Sequence, residues 1–152
     1  MRWAMLAIGI LAYQPGGRAF WMLPSVFVMV MAIGWALGVV GMQLPYVEAS
    51  IAVSVVVFGG AILFALKSSV TICAALARLF ALFHGYAHGV AMPAGPAAPY
   101  AAGFIAASVL LHVAGIGFGL AIGGVGRRSE TALRAAGLVI AVIGMAILLP
   151  IA

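Results

Sequence analysis

Phe20-Trp21-Met22-Leu23-Pro24-Ser25-Val26-Phe27-Val28-Met29-Val30-Met31-Ala32-Ile33-Gly34-Trp35-Ala36-Leu37-Gly38-Val39-Val40 runs without one Asp, Glu, Lys or Arg. A hydrocarbon core takes about 20 mostly apolar residues of helix to cross, so this stretch reads as a membrane span. Pro15-Gly16-Gly17-Arg18 opens it and Gly41-Met42-Gln43-Leu44-Pro45 closes it, with Trp21 and Trp35 expected near its two ends as interfacial aromatics. The rest of the chain has the same character. Of 152 residues, 67% are hydrophobic and only 6% charged, against roughly 25% charged in an ordinary soluble domain, and the mean hydropathy is +1.33. The expected fold is an all-α integral membrane protein, with residues 1–152 in a single transmembrane domain.

Working outward, a third span is expected from Val47 to Leu66, with Glu48 at its start and a Gly59-Gly60 pair that permits close helix approach. A fourth runs from Val70 to His88 and contains Arg78, and Gly89, Pro93 and the Ala94-to-Pro99 linker end it. The fifth runs from Tyr100 to Ile122 with His112 near its middle, and the sixth from Thr131 to Ile151. Before all of these, Trp3 to Tyr13 is a short apolar run, about 16 Å of helix, expected as a partial first helix or one cut off at its N-terminus. Small residues are abundant in every span, and in lipid they let helix backbones approach. The expectation is a compact bundle of five full transmembrane helices plus a short or truncated first helix.

A net charge of +5 with pI 10.2 would suggest nucleic acid in a soluble protein. Here the cations are scattered singly at helix ends and loops, so lipid is the expected partner and nucleic acid is not. Their placement sets orientation, because basic loops favour the cytoplasm. Arg18, Lys67, and Arg127 with Arg128 and Arg134 fall in or beside alternate loops, whereas Gln43 to Tyr46 and Gly89 to Pro99 hold no Lys or Arg. The first set is expected to be cytoplasmic and the second exterior, with Arg2 as the one dissenting cation.

In this greasy chain the stretch Leu82-Phe83-His84-Gly85-Tyr86-Ala87-His88-Gly89-Val90-Ala91-Met92 stands out. On a helix, positions four apart differ by about 40° and about 6 Å, so His84 and His88 share one face and can meet one ion. An ionisable group at membrane depth is a functional candidate by default. Glu48 falls at the same end, and His112, deeper in its span, offers a second step. Imidazole suits first-row transition metals better than magnesium or calcium. The plainer readings are two interfacial histidines bonded to carbonyls and water, a packing role for His112, and Glu48 favouring its helix N-terminus. Arg78 is read as pairing with a lipid phosphate or a bundle carboxylate. The methionines read as packing residues, with Met42 and Met92 as weak ligands the other option. Cys73 stands alone in an apolar run, without a CxxC partner.

Phe83-His84-Gly85-Tyr86-Ala87-His88-Gly89 with Met92-Pro93 closely resembles the hallmark motif of the HupE/UreJ family. Ala4-Met5-Leu6-Ala7-Ile8-Gly9, Pro45-Tyr46-Val47-Glu48 with Ser50-Ile51-Ala52-Val53-Ser54, and Gly103-Phe104 leading to Leu111-His112-Val113-Ala114-Gly115-Ile116 extend the resemblance along most of the chain. The resemblance implies a permease of the bacterial inner membrane, taking up nickel or alternatively cobalt, associated with metal supply to hydrogenase and urease. Its metal path would use histidines and acidic residues, here His84, His88, Glu48 and His112. Two departures are visible. The family usually carries His-Pro-x2-Gly-x-Asp-His just before the Ala-Met-x-Ala stretch, where this sequence has Met1-Arg2-Trp3, and Ala91 stands where the family usually has a glutamate.

The functional expectation is uptake of a transition-metal cation with no tightly bound cofactor. Capture would occur at a periplasmic His84/His88 end with Glu48, and transfer would run by way of His112. Neutral imidazole is the binding form, so uptake should weaken as pH falls through about 6.5. The alternative is a non-transporting metal-binding or assembly protein, a divergent or truncated member of the same family. Haem ligation would need histidines on different helices, such as His84 and His112. Enzyme activity is not expected: Ser25, Ser50, Ser54, Ser68, Ser69 and Ser108 carry no nucleophile motif, and the chain has no aspartate.

Overall fold

In hydrocarbon no water is available to a free N–H or C=O, so apolar runs satisfy their backbones as helices. The chain forms six: α1 (Arg2–Tyr13), α2 (Ala19–Val39), α3 (Val47–Leu63), α4 (Val70–Val90), α5 (Ala97–Gly123) and α6 (Arg127–Leu148). The computed structural model describes residues 2–14, 17–65, 70–123 and 127–150, and these contain no strand. Gly41, at φ +75°, turns the chain out of α2, and Gly95, at φ +151°, bends the connection between α4 and α5. Both conformations are ones that glycine adopts without a Cβ penalty.

Glycine also decides which helices pair. A Cβ on Gly34 or Gly38 of α2 would strike the α4 backbone at Leu82 or Tyr86, and one on Gly85 or Gly89 of α4 would strike the α2 backbone at Met31 or Trp35. These two Gly-x3-Gly pairs interlock, as small residues do where lipid offers no hydrophobic drive to association. Gly9 of α1 meets Gly115 of α5 in the same way, and Gly59 of α3 meets Gly137 and Ala141 of α6. Gly60 faces open space, so only the first glycine of that pair makes a helix contact.

The residue pairings fix direction. Residue numbers rise together along α2/α4 and α1/α5 and oppose each other along α3/α6. The Leu44 N–H donates to the Tyr86 hydroxyl at 3.3 Å, tying the α2–α3 connection to the C-terminal end of α4. This is called the Tyr86 end below.

The shortest helix is the most enclosed. In α1, which is 12 residues long, Ala4, Met5 and every residue from Ala7 to Ala12 are buried, packed among α2, α3 and α5. The expected count of five full spans holds only in part. Phe20–Val39, Ala97–Ile122 and Glu130–Leu148 are long and apolar enough to cross a membrane. The third helix stops at Leu63, giving 17 residues or about 25 Å, because Phe64 and Ala65 turn out of it, Ala65 at φ +47°. The fourth is 21 residues long, but Arg78, His84 and His88 interrupt its apolar character.

Of the cations expected to mark the cytoplasmic side, Lys67 lies outside the described residues, as do the side chains of Arg127 and Arg128. Arg18 and Arg134 are exposed, and so is Arg78. Trp21 is 79% exposed, as an interfacial ring should be. Trp35 departs from expectation: its ring leans on Phe104 at 6.1 Å, and its Nε1 is buried without a hydrogen-bond partner. The reason is register, since Trp35 lies one turn beyond Met31 and shares that buried residue's inward face.

Candidate functional site

With α2 held on α4 and α5 held on α1, α2 and α5 run in opposite directions and meet through side chains. Three rungs join them. Trp35 faces Phe104, Met31 faces Ser108, and Phe27 faces His112 with ring centroids 5.3 Å apart. Each helix contributes every fourth residue, so successive rungs are about 6 Å apart along the helices.

The fourth helix closes this wedge. His84 reaches the lowest rung, its ring 5.7 Å from Phe27, and His88 reaches the highest, stacked on Phe104 at 4.8 Å and 9°. Tyr100 completes an aromatic collar around His88, at 6.5 Å. His88 itself is half-buried, one turn nearer the Tyr86 end than His84.

The polar atoms in the wedge are poorly served. His84 Nδ1 lies 2.9 Å from the Phe80 carbonyl oxygen. A carbonyl only accepts, so Nδ1 carries the proton and donates it, which leaves the lone pair on Nε2. That Nε2 is buried and unpartnered, and so are both ring nitrogens of His112 and Nε1 of Trp35. Among the described residues, these are the buried side-chain nitrogens and oxygens left without a hydrogen bond, and all of them lie in this wedge.

Leaving such a group unmade costs about 1–3 kcal/mol. A T-shaped contact with a phenyl ring returns only about 0.5–1.5 kcal/mol. Packing against Phe27 therefore offsets only part of the cost of burying both imidazoles, whose free nitrogens remain able to accept or donate one more bond. An imidazole whose Nδ1–H is pinned by a carbonyl and whose Nε2 is free is in the form and orientation that ligates a first-row transition metal.

The structure brings His84 and His112 to one phenyl ring, keeps His88 on the same helix face a turn away, and leaves Glu48 exposed in the first turn of α3. Glu48 is nonetheless at the Tyr86 end, through the Leu44–Tyr86 bond. Among the described residues, no three His, Cys, Asp or Glu side chains gather into one metal-holding group. Phe27, Met31, Trp35 and Phe104 are site residues that single motifs do not reveal. Their signal is the shared four-residue spacing of 27, 31, 35 and 104, 108, 112. Met42 is 51% exposed, whereas Met31 is buried in the wedge against Ser108.

The family model described as HupE / UreJ protein matches residues 3–147. Protein HupE of Rhizobium leguminosarum bv. viciae is 43% identical over 146 residues, which cover 95% of this chain and 75% of that protein. No solved structure matches the chain. With a family match along nearly its whole length and a relative this similar, the chain belongs to the HupE/UreJ family.

Proposed function

We propose that this chain carries a transition-metal cation, nickel first and cobalt as the alternative, into the cell across the bacterial inner membrane to supply metalloenzyme maturation. The observation that carries the reading is the set of three buried imidazole nitrogens, from two helices, that have no partner around Phe27. Glu48 and the half-buried His88 stand at the Tyr86 end, which this reading takes as the exterior. There they would strip and hold the arriving ion. His84 Nε2 and then His112 would take it deeper by exchange of imidazole ligands.

Lipid surrounds the bundle in this reading, and the ion is cargo, not a resident group. Within the wedge the donors are imidazoles with no carboxylate among them, which favours nickel or cobalt over magnesium or calcium. The test is accumulation of radioactive nickel in cells expressing the chain, beside His84→Ala, His88→Ala and His112→Ala. Uptake should fall to background in the first and third and by about tenfold in the second, the lower end of the cost of disturbing a metal site. Equal accumulation in all four strains contradicts the proposal.

One observation favours a second reading, a metal-binding or assembly protein that moves nothing. No three ligand side chains gather at one point among the described residues, and Phe27 occupies the place where the two imidazoles meet. Such a protein would bind nickel in detergent and leave the lumen of proteoliposomes empty.

A further inference from the structure

The middle rung of the wedge sets a buried hydroxyl against a buried thioether. Ser108 Oγ lies 3.8 Å from Met31 Sδ and 2.7 Å from the Phe104 carbonyl oxygen, and both side chains are buried. A hydroxyl has one proton to give. The short bond to the carbonyl, a far stronger acceptor than a thioether, takes it. The long contact leaves Met31 Sδ only a weak share of that proton, so the sulfur lone pairs stay available in the gap between α2 and α5. A thioether and a hydroxyl oxygen held this close on facing helices are two neutral donor atoms that one cation can meet together.

Position adds the second half of the argument. This rung sits between His88 above, at Phe104, and the His84/His112 pair below, at Phe27. The Met31 backbone lies directly on Gly85, the neighbour of His84. An ion passing between the two histidine levels therefore crosses the Met31–Ser108 level.

We infer that Met31 Sδ and Ser108 Oγ form a transient ligand rung between the histidines, and that the thioether of Met31 makes passage selective for borderline and soft dications over hard ones. The inference rests on the transport reading above and adds to it the class of ion preferred. A thioether is a soft donor, which nickel and cobalt accept, whereas manganese and magnesium keep to oxygen.

The test uses the full chain. Nickel bound to the protein in detergent is examined by X-ray absorption at the nickel edge, and the same protein in liposomes is given nickel and manganese together. Met31→Leu keeps the volume of the side chain with little strain, and Ser108→Ala is the second variant. Thermal melting of both confirms that they are folded.

Wild type should show sulfur as well as nitrogen around nickel. Met31→Leu should lose the sulfur and keep the nitrogen, and its nickel-to-manganese uptake ratio should fall about tenfold, as when a supporting partner of a metal is removed. Ser108→Ala should bind nickel more weakly with the sulfur still present. A wild-type spectrum without sulfur, or an unchanged ratio in Met31→Leu, overturns the rung. Sulfur-bound nickel that never enters the liposomes keeps the rung and removes transport. Transport with an unchanged ratio removes the rung alone, and a protein that neither binds nor moves nickel removes both.

Discussion

The α3/α6 side of the bundle and the α2/α4/α5 wedge are built from the same residue types and end in opposite states. On the α3 side, Gly59 meets Gly137, Phe58 packs edge-on to Phe80 at 5.4 Å, and the buried Ser54 hydroxyl donates to the Ile51 carbonyl at 2.6 Å. A crevice of about 90 Å³ where α3 meets α1, α2 and α4 is lined by apolar side chains, among them Ile8, Leu11, Leu23 and Phe58, with Cys73 at its wall. Nothing polar in that lining asks for a partner. In the wedge, glycines interlock as tightly, yet four buried nitrogens have no bond and a sulfur faces a hydroxyl oxygen. One side satisfies its buried polar groups within the chain, and the other leaves four buried nitrogens without a hydrogen bond.

The largest effect should come from breaking either side equally. Gly85→Leu places side-chain atoms on the Met31 carbonyl, and Gly137→Leu places them on Leu63 and Gly59. Because the obstacles are backbone, the cost should exceed the about 1–3 kcal/mol of ordinary overpacking. Both variants should lose the monodisperse peak in size-exclusion chromatography. If either keeps it, glycine contact does not set that pairing.

The next substitutions separate the two sides by sign. His112→Leu removes two orphaned nitrogens, so the protein should melt at a higher temperature, by the equivalent of about 1–3 kcal/mol, while nickel accumulation falls to background. Ser54→Ala removes a satisfied hydroxyl, so it should melt lower, by about 0.5–1.5 kcal/mol, with uptake unchanged. Opposite signs in stability, each paired with the opposite outcome in uptake, sharpen the contrast. The same sign in both erases it.

A smaller change is expected at the mouth. Glu48 is exposed in the first turn of α3, where its charge attracts a cation without enclosing it. Glu48→Gln should raise the KM for nickel a few-fold at most, on the order of the 0.2–1 kcal/mol that an exposed charge pair commonly contributes, and leave the maximal rate as it was. Smallest of all, Cys73→Ala, at the wall of the apolar crevice, should change neither uptake nor the KM, measured in the same cells.

Much of this was legible beforehand. Six helices, their order and most of their limits followed from apolar runs and from Gly and Pro punctuation. His84 and His88 were found because imidazoles four residues apart are conspicuous in a chain with 6% charged residues. Two things were not legible. Trp35 was expected at an interface and turns inward, because the partner that buries it, Phe104, lies far off in sequence and only the fold brings it near. Met31 read as a packing residue, and Ser108 as a serine with no nucleophile motif, for the same reason. Each is ordinary on its own helix, and the contact between the sulfur and the hydroxyl exists only once α2 and α5 face each other. Motif reading finds donors that cluster along a chain, and a rung assembled from two antiparallel helices leaves no such mark.

The most direct measurement is anomalous diffraction at the nickel edge from crystals of the full chain grown with nickel. A peak between α2, α4 and α5, within coordinating reach of His84 Nε2 and a His112 ring nitrogen, is the predicted result. Nickel found only at surface groups, with both imidazoles still unpartnered against Phe27, would contradict it.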